Sequence, residues 1–430
     1  MPAVSAPVPA PLPLVIVGAG YAGVRAALTL DALLPADAPP LLLLNPSPYH
    51  HLITRLPELV GGRIPPERAR VPLEPLLRPT RVRLMLGTVL RIDLVRRALV
   101  FRRPDATEEE DLHFSILVLA AGSVPAFHEI PGLPEHAWVL RTLDDALRLR
   151  ARVRGCAVRG GITLIAGGGY TGVELAGELA ALVGRRRGAR LVLVEAASHL
   201  LPGMDEWLGK RAAAALTAKG VEVQTRTALI EAGPGWAVLR SPAATFRLHV
   251  DTLIWAGGSR GPAFLEHSGL PLSPSGLVQT GPSLEVPGVP GIYAGGDCAI
   301  VRDPQTGRPL HPSAQYAVQH GEHIARAIVA ELRGLPRPVF TPREEGEAIS
   351  LGPDDGVAWW SPRSLPPFVA LRRLLPLSRV CTPFGLLEVP DVGARIRLTG
   401  RAALVVKRVA LERYLYRLGG IRLVRELSPT

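Results

Sequence analysis

Leu14-Val15-Ile16-Val17-Gly18-Ala19-Gly20-Tyr21-Ala22-Gly23, followed by the Ala/Leu-rich run Val24 to Leu33, decides the fold. An apolar run that stops at glycines and restarts as a helix reads as a buried strand, a tight turn and a helix. Gly18 permits the turn, Gly20 lets backbone approach a ligand, and Gly23 lets helix and strand pack closely. The helix start offers free N–H groups and a positive dipole end to phosphate oxygens. Leu41 to Leu44 supplies the next strand, completing a βαβ opening. An acidic residue usually closes that second strand and holds a ribose hydroxyl. Here Asn45 stands in its place, able to hydrogen-bond a ribose without charge.

The pattern recurs one domain-length downstream. Ile162 to Ala166 runs into Gly167-Gly168-Gly169-Tyr170-Thr171-Gly172, then a helix to Val183 and a strand Leu191 to Val194. Gly167, Gly169 and Gly172 repeat the roles of the first three glycines. This time the second strand ends in an acid, Glu195. A carboxylate there accepts from ribose hydroxyls and repels a 2′-phosphate, which predicts NADH rather than NADPH. Two fingerprints predict two nucleotides, one resident and one exchanging. The run Arg185-Arg186-Arg187 lies at the far end of the second helix and reads as a solvated basic turn.

Further apolar runs end at glycines: Ile116 to Ala120 before Ala121-Gly122, Thr252 to Ala256 before Gly257-Gly258, and Gly291 to Ala294 before Gly295-Gly296-Asp297. Thr142 reads as the N-cap of a helix to Arg152, with Asp144 and Asp145 in its first turn. The fold class expected is α/β, with two Rossmann-like dinucleotide-binding domains and a small C-terminal region. The expected organisation is a flexible tail (1–11), a first domain in two parts (12–125 and 288–340), an inserted second domain (126–287) and the C-terminal region (341–430).

With 430 residues and 47% hydrophobic content, the chain is long enough for two or three cored domains. A net charge of +11 favours acidic partners: phosphate-bearing cofactors, an anionic membrane or nucleic acid. The basic residues are scattered and aromatics make up only 5%, so a nucleic acid is not the expected partner. Cys156, Cys298 and Cys381 form no close pair, which argues against a dithiol redox motif and a zinc site and fits a reducing compartment. The N-terminal MPAVSAPVPAPLP lacks a positive segment and does not read as a secretory signal. No apolar run is long enough to span a bilayer.

The stretch Gly167 to Leu179, GGGYTGVELAGEL, resembles the second-fingerprint helix of type II NADH dehydrogenases, which are FAD-containing NADH:quinone oxidoreductases. Tyr49-His50, Ala121-Gly122-Ser123, Ile130-Pro131-Gly132-Leu133, Arg141 to Ala146, Trp255 to Gly258 and Tyr293 to Ala299 agree. The likeness runs from residue 12 to about 335 and weakens beyond. It implies that Gly18, Gly20, Gly23, Asn45, Ala121, Gly122, Asp297 and Gln315 face FAD. It implies that Gly167, Gly169, Gly172, Glu174, Glu195 and Gly258 face NADH. His311 to Gly321 resembles the family's Ala-Gln-x-x-x-Gln helix at the quinone, with Gln315 and Gln319 on one face and Pro312 in the first turn. Glu174, Gln315 and Gln319 thereby become the candidate catalytic residues, and Glu178 a structural one.

Leu365 to Val380 and Ala402 to Leu418 mix apolar and basic residues, with Tyr414 and Tyr416 suited to lipid headgroups. These segments predict peripheral attachment at the cytoplasmic face of a membrane that holds the quinone. Two other readings stay open: a sulfide:quinone-type or other FAD/NAD(P)H reductase, and a regulatory flavoprotein that binds nucleic acid. The oligomeric state is open too, a homodimer included.

Overall fold

The computed structural model describes residues 11–183, 188–360, 379–382, 385–388 and 396–427. The expected tail (but for Pro11), the Arg185-Arg186-Arg187 run, nearly all of Leu365 to Val380 and the side chain of Cys381 lie outside them. The chain divides into two compact units. One comprises the chain to His51, Val71–Val124 and Arg260–Pro342; the other comprises Leu52–Arg70, Pro125–Ser259 and the chain from Arg343.

The first unit is built on a five-stranded parallel sheet. Its order is Ile292–Ala294, Ile116–Leu119, Leu14–Val17, Leu41–Asn45, Arg83–Leu86. Leu14–Val17 and Ile116–Leu119 are buried at every residue, because a parallel sheet covered on both faces has no solvent side. Leu14–Val17 has its successor strand on one side and a much later strand on the other. The first glycine turn therefore opens where the strand order reverses, the place where such sheets take ligands. Helix Tyr21–Leu33 packs against helix Ala314–Leu332.

The second unit repeats this plan. Its parallel sheet runs Ala137–Trp138, Thr252–Trp255, Ile162–Ala166, Arg190–Val194, Glu222–Gln224, with the second glycine turn again at the reversal. Helix Leu143–Val158 starts at Thr142 as expected, in a reciprocal capping box with Asp145. A five-stranded antiparallel sheet follows in the order Gly346–Ser350, Gly356–Trp360, Ile396–Thr399, Gly385–Glu388, Arg379–Thr382. The C-terminal helix Arg401–Leu427 packs on its first two strands.

The units exchange chain at points the sequence reading sets differently. Residues 260–287, expected in the inserted domain, belong to the first unit: Leu265, Leu270, Val278 and Val286 join its core, and Val278–Gln279 pairs with Ala299–Ile300. Leu52–Arg70 belongs to the second unit, where Leu56, Leu59, Val60, Ile64 and Ala69 enter the core.

Candidate functional site

The two glycine turns have nearly superimposable physical constraints. Gly18 and Gly167 sit at φ +99 and +115, which a side-chain-bearing residue rarely adopts. A Cβ on Gly18 would collide with the carbonyl of Ala120, and one on Gly167 with that of Ala256. A Cβ on Gly23 would fall onto the carbonyl oxygen of Gly18, and one on Gly172 onto that of Gly167. These four positions are closed by packing. Gly20 and Gly169 are the opposite case: a Cβ on either would meet nothing within 4 Å. The space beside the middle glycine is left open in both turns. Neither helix carries an acid in its first turn, so the positive end of the backbone dipole is not offset there.

Asn45 and Glu195 occupy equivalent places and do equivalent work. Ala19 N–H donates to Asn45 Oδ1 at 2.8 Å, and Gly168 N–H donates to Glu195 Oε2 at 2.6 Å. Each side chain thus ties the end of the second strand to the second residue of its glycine turn. Ala197 N–H also donates to Glu195 Oε1 at 2.7 Å, and Asn45 Nδ2 donates to Ser47 O at 2.6 Å. Both side chains are buried, so a carboxylate at 195 concentrates negative charge at the turn while the amide at 45 adds none.

In the first unit the structure brings Asp297 and the glutamine helix to the first turn. A Cβ on Gly296 would meet Ala22, and one on Gly321 would meet the Ala22 backbone, so only glycines let these segments approach so closely. Asp297 follows in the short helix Gly296–Cys298 and lines a recess with Gly296, Ser313, Tyr316, Ala317 and His320. Helix Ala314–Leu332 begins after Pro312, not at it. Ser313 is the N-cap and accepts from Tyr316 N–H, so Pro312 stands outside the first turn. Gln319 is buried and Gln315 half-buried. Ala121 and Gly122 follow the strand that closes over Gly18, with Gly122 at φ +71 and open space beside it.

Two buried histidines brace this unit. His50 Nδ1 donates to Ala19 O at 2.8 Å, which fixes its proton on that nitrogen. His320 Nδ1 accepts from Gly296 N–H at 3.1 Å, which fixes its proton on the other. Burial pulls His50 down to about 4 and His320 down to about 3, with charge from His51 and His323 adding to the effect. Both are neutral in the fold and protonated in the unfolded chain below about pH 6.5. Stability is complete above that pH, falls as the unfolded chain takes up protons, and levels off only below the folded values. Each histidine should cost about 2 kcal/mol between about pH 7 and about pH 5. A urea midpoint that does not move over that interval, at fixed cofactor content, would refute this assignment.

In the second unit Gly258 takes φ +138, and a side chain there would run into His128, whose Nε2 bonds Gly257 O at 2.9 Å. Glu174, one turn into the second fingerprint helix, is buried. Its Oε1 accepts from Ser350 N–H at 3.0 Å and from Lys407 Nζ at 2.5 Å. Lys407, expected among membrane-facing residues, is instead drawn inward by this pair. Nothing local in the sequence links residues 233 positions apart, so this contact escapes a reading of motifs. His50, His128, His320 and Lys407 make contacts beside these turns and at Glu174 that the motifs do not foretell.

The described thiols support no disulfide chemistry. Cys156 and Cys298 are free and buried, each in a different unit, and burial pushes Cys298 up to about 11. Among the described residues no cluster of His, Cys, Asp and Glu could hold a metal ion, and no helix is long and apolar enough to cross a membrane.

A family described as pyridine nucleotide-disulphide oxidoreductase matches residues 12–321. A type II NADH:quinone oxidoreductase of Staphylococcus aureus is 28% identical over 362 residues, covering 80% of this chain and 88% of that protein. NDH2 from Plasmodium falciparum, solved in complex with NADH, is similar at a TM-score of 0.76 and 15% identity, over 94% of each chain. The sulfide:quinone oxidoreductase from Aquifex aeolicus is similar at a TM-score of 0.76 and 18% identity, over 97% of this chain and 92% of that one. At these identities the two solved structures speak to the fold alone.

Proposed function

The chain belongs to the pyridine nucleotide-disulphide oxidoreductase family, and from that premise we propose that it is an FAD-dependent NADH:quinone oxidoreductase that does not pump protons. The observation that carries the reading is the pair of glycine turns, each packed shut at its outer glycines and open at Gly20 or Gly169. That is the shape a pyrophosphate needs to lie against backbone N–H groups. The residues present therefore fit two dinucleotides.

In this reading Gly18, Gly20, Gly23, Asn45, Ala121, Gly122, Asp297 and Gln315 hold FAD. Gly167, Gly169, Gly172, Glu174, Glu195 and Gly258 hold NADH. FAD, when bound, supplies the hydride-accepting and two-electron chemistry. The protein's part is placement and charge. Asp297 accepts hydrogen bonds from cofactor hydroxyls. The start of helix Ala314–Leu332 carries a positive dipole end, which would favour negative charge on a group held there. Gln315 and Gln319 offer uncharged amide donors for quinone carbonyls. Glu174, held by Lys407 and Ser350, orients the nicotinamide side.

The quinone acceptor rests on the named relatives and on the C-terminal helix. That helix turns Ala403, Leu415 and Leu418 inward and exposes Val405, Val409 and Tyr416, which fall along one stripe of its surface. Arg401, Arg408, Arg413 and Arg417 are exposed near that stripe. An apolar stripe bordered by arginines suits an anionic bilayer surface, and a peripheral position at the cytoplasmic face follows from this reading.

The test is the oxidative half-reaction. Protein reduced anaerobically with one equivalent of NADH should recover its yellow colour within seconds of adding a soluble quinone. Recovery only on admitting oxygen would rule the quinone out.

A further inference from the structure

Glu174 and Glu178 lie one turn apart on the same face of the helix Tyr170–Val183, and both are buried. Two like charges at this spacing repel. Burial adds a desolvation cost for each, so each needs a partner. Glu174 has Lys407. Glu178 has Arg63, from the turn after helix Leu56–Gly61, through three hydrogen bonds of 2.6 to 3.0 Å. Such a fork on a carboxylate fixes orientation as well as charge. Gly61 is required for the approach, because a Cβ there would press on Glu178.

Ser350 joins the two carboxylates. Its backbone N–H donates to Glu174 Oε1 at 3.0 Å, and its hydroxyl is shared between Gly352 O at 3.2 Å and Glu178 Oε1 at 3.4 Å. The strand that carries it is packed against the same helix, where a Cβ on Gly177 would collide with the Leu351 backbone. The serine therefore cannot move without disturbing both acids.

We propose that Arg63 and Glu178 are a positioning pair that sets where the Glu174 carboxylate stands, acting through Ser350. This rests on the reading of Glu174 as a nicotinamide-side residue. Neither member of the pair is itself assigned a contact with NADH. The charges facing Glu178 are Glu58 from helix Leu56–Gly61, Arg63 from the turn after it, Lys407 from the C-terminal helix and Glu174 on its own helix. Burial pushes the Glu178 carboxyl up from its usual range, with Arg63 opposing the rise. Acid therefore loosens the pair by protonating Glu178, and the positioning weakens as pH falls.

The experiment uses the full chain with its flavin and measures NAD+ affinity by calorimetry from about pH 5 to about pH 8, beside the melting temperature. Glu178→Gln should bind NAD+ about tenfold more weakly at neutral pH and lose much of the wild-type pH dependence. Arg63→Lys keeps the charge and loses the fork. It should weaken binding by about threefold with the pH dependence retained. Should Glu178→Gln fail to fold, the Arg63→Lys result decides alone. Variants that melt lower but bind NAD+ within about twofold of wild type at every pH would overturn the proposal, leaving a purely structural pair. Glu174→Gln separates the two ideas. If it leaves NAD+ affinity unchanged, the reading of Glu174 falls and takes this proposal with it. If it weakens binding while Glu178→Gln does not, only the positioning pair falls.

Discussion

Gly23→Ala is expected to yield a colourless protein, and Gly172→Ala a yellow one that NADH no longer bleaches. In each case the added methyl lands on a backbone carbonyl within its own glycine turn, Gly18 for the first and Gly167 for the second. A carbonyl cannot swing aside like a long side chain, so the helix start must retreat from the strand. The N–H groups that cradle a pyrophosphate retreat with it. Displacing such groups by about 1 Å costs about a hundredfold in a positioned reaction. The flavin content of Gly23→Ala should fall to a small fraction of wild type. For Gly172→Ala the anaerobic bleaching rate with NADH should drop at least about a hundredfold at unchanged flavin content. The two variants are controls for each other. If both lose colour, or neither does, the turns do not hold separate nucleotides.

Glu195→Gln should erase the preference for NADH over NADPH. The Glu195 carboxylate is buried and accepts from Gly168 N–H and Ala197 N–H, so it cannot turn away from an incoming 2′-phosphate. Like charges brought together in such a place cost several kcal/mol. Glutamine retains an acceptor for one of the two N–H groups and removes the charge. The ratio of kcat/KM for NADH over NADPH should fall by about a hundredfold, through a gain for NADPH and a smaller loss for NADH. An unchanged ratio would place the ribose elsewhere. The second unit supplies its own comparison in the first. Asn45, at the equivalent place, already makes the N–H contact without charge.

Much of this was legible in the sequence because glycine requirements are local. A turn that needs φ near +100 and no Cβ leaves the same signature wherever it occurs, and both strand–turn–helix units were readable from it. Parallel strands were legible as apolar runs for a similar reason: burial on both faces leaves no alternation to interpret. Thr142 and Asp145 announced their helix through a cap that spans three residues. Glu195 was readable by its offset from the glycines, and its bond to Gly168 agrees with that offset.

What escaped is what the chain does between distant segments. The excursion Leu52–Arg70 offers no glycine signature, only leucines whose destination depends on a core formed largely by residues beyond 140. The return near Arg260 was hidden because Val278–Gln279 is too short a strand to recognise by pattern. Pro312 reads as a first-turn residue, but Ser313 takes the cap position because its hydroxyl oxygen accepts from Tyr316 N–H. Lys407 read as one more cation on a basic helix, and only the folded unit pairs it with Glu174. Arg63 was equally silent, since its partner lies 115 residues away.

Nucleotide stoichiometry tests the central claim most directly. Protein purified with its flavin should contain one FAD per chain and, on calorimetric titration, bind one NAD+ per chain with no release of that FAD. Displacement of FAD by NAD+, or a chain that takes up only one dinucleotide of either kind, would contradict it.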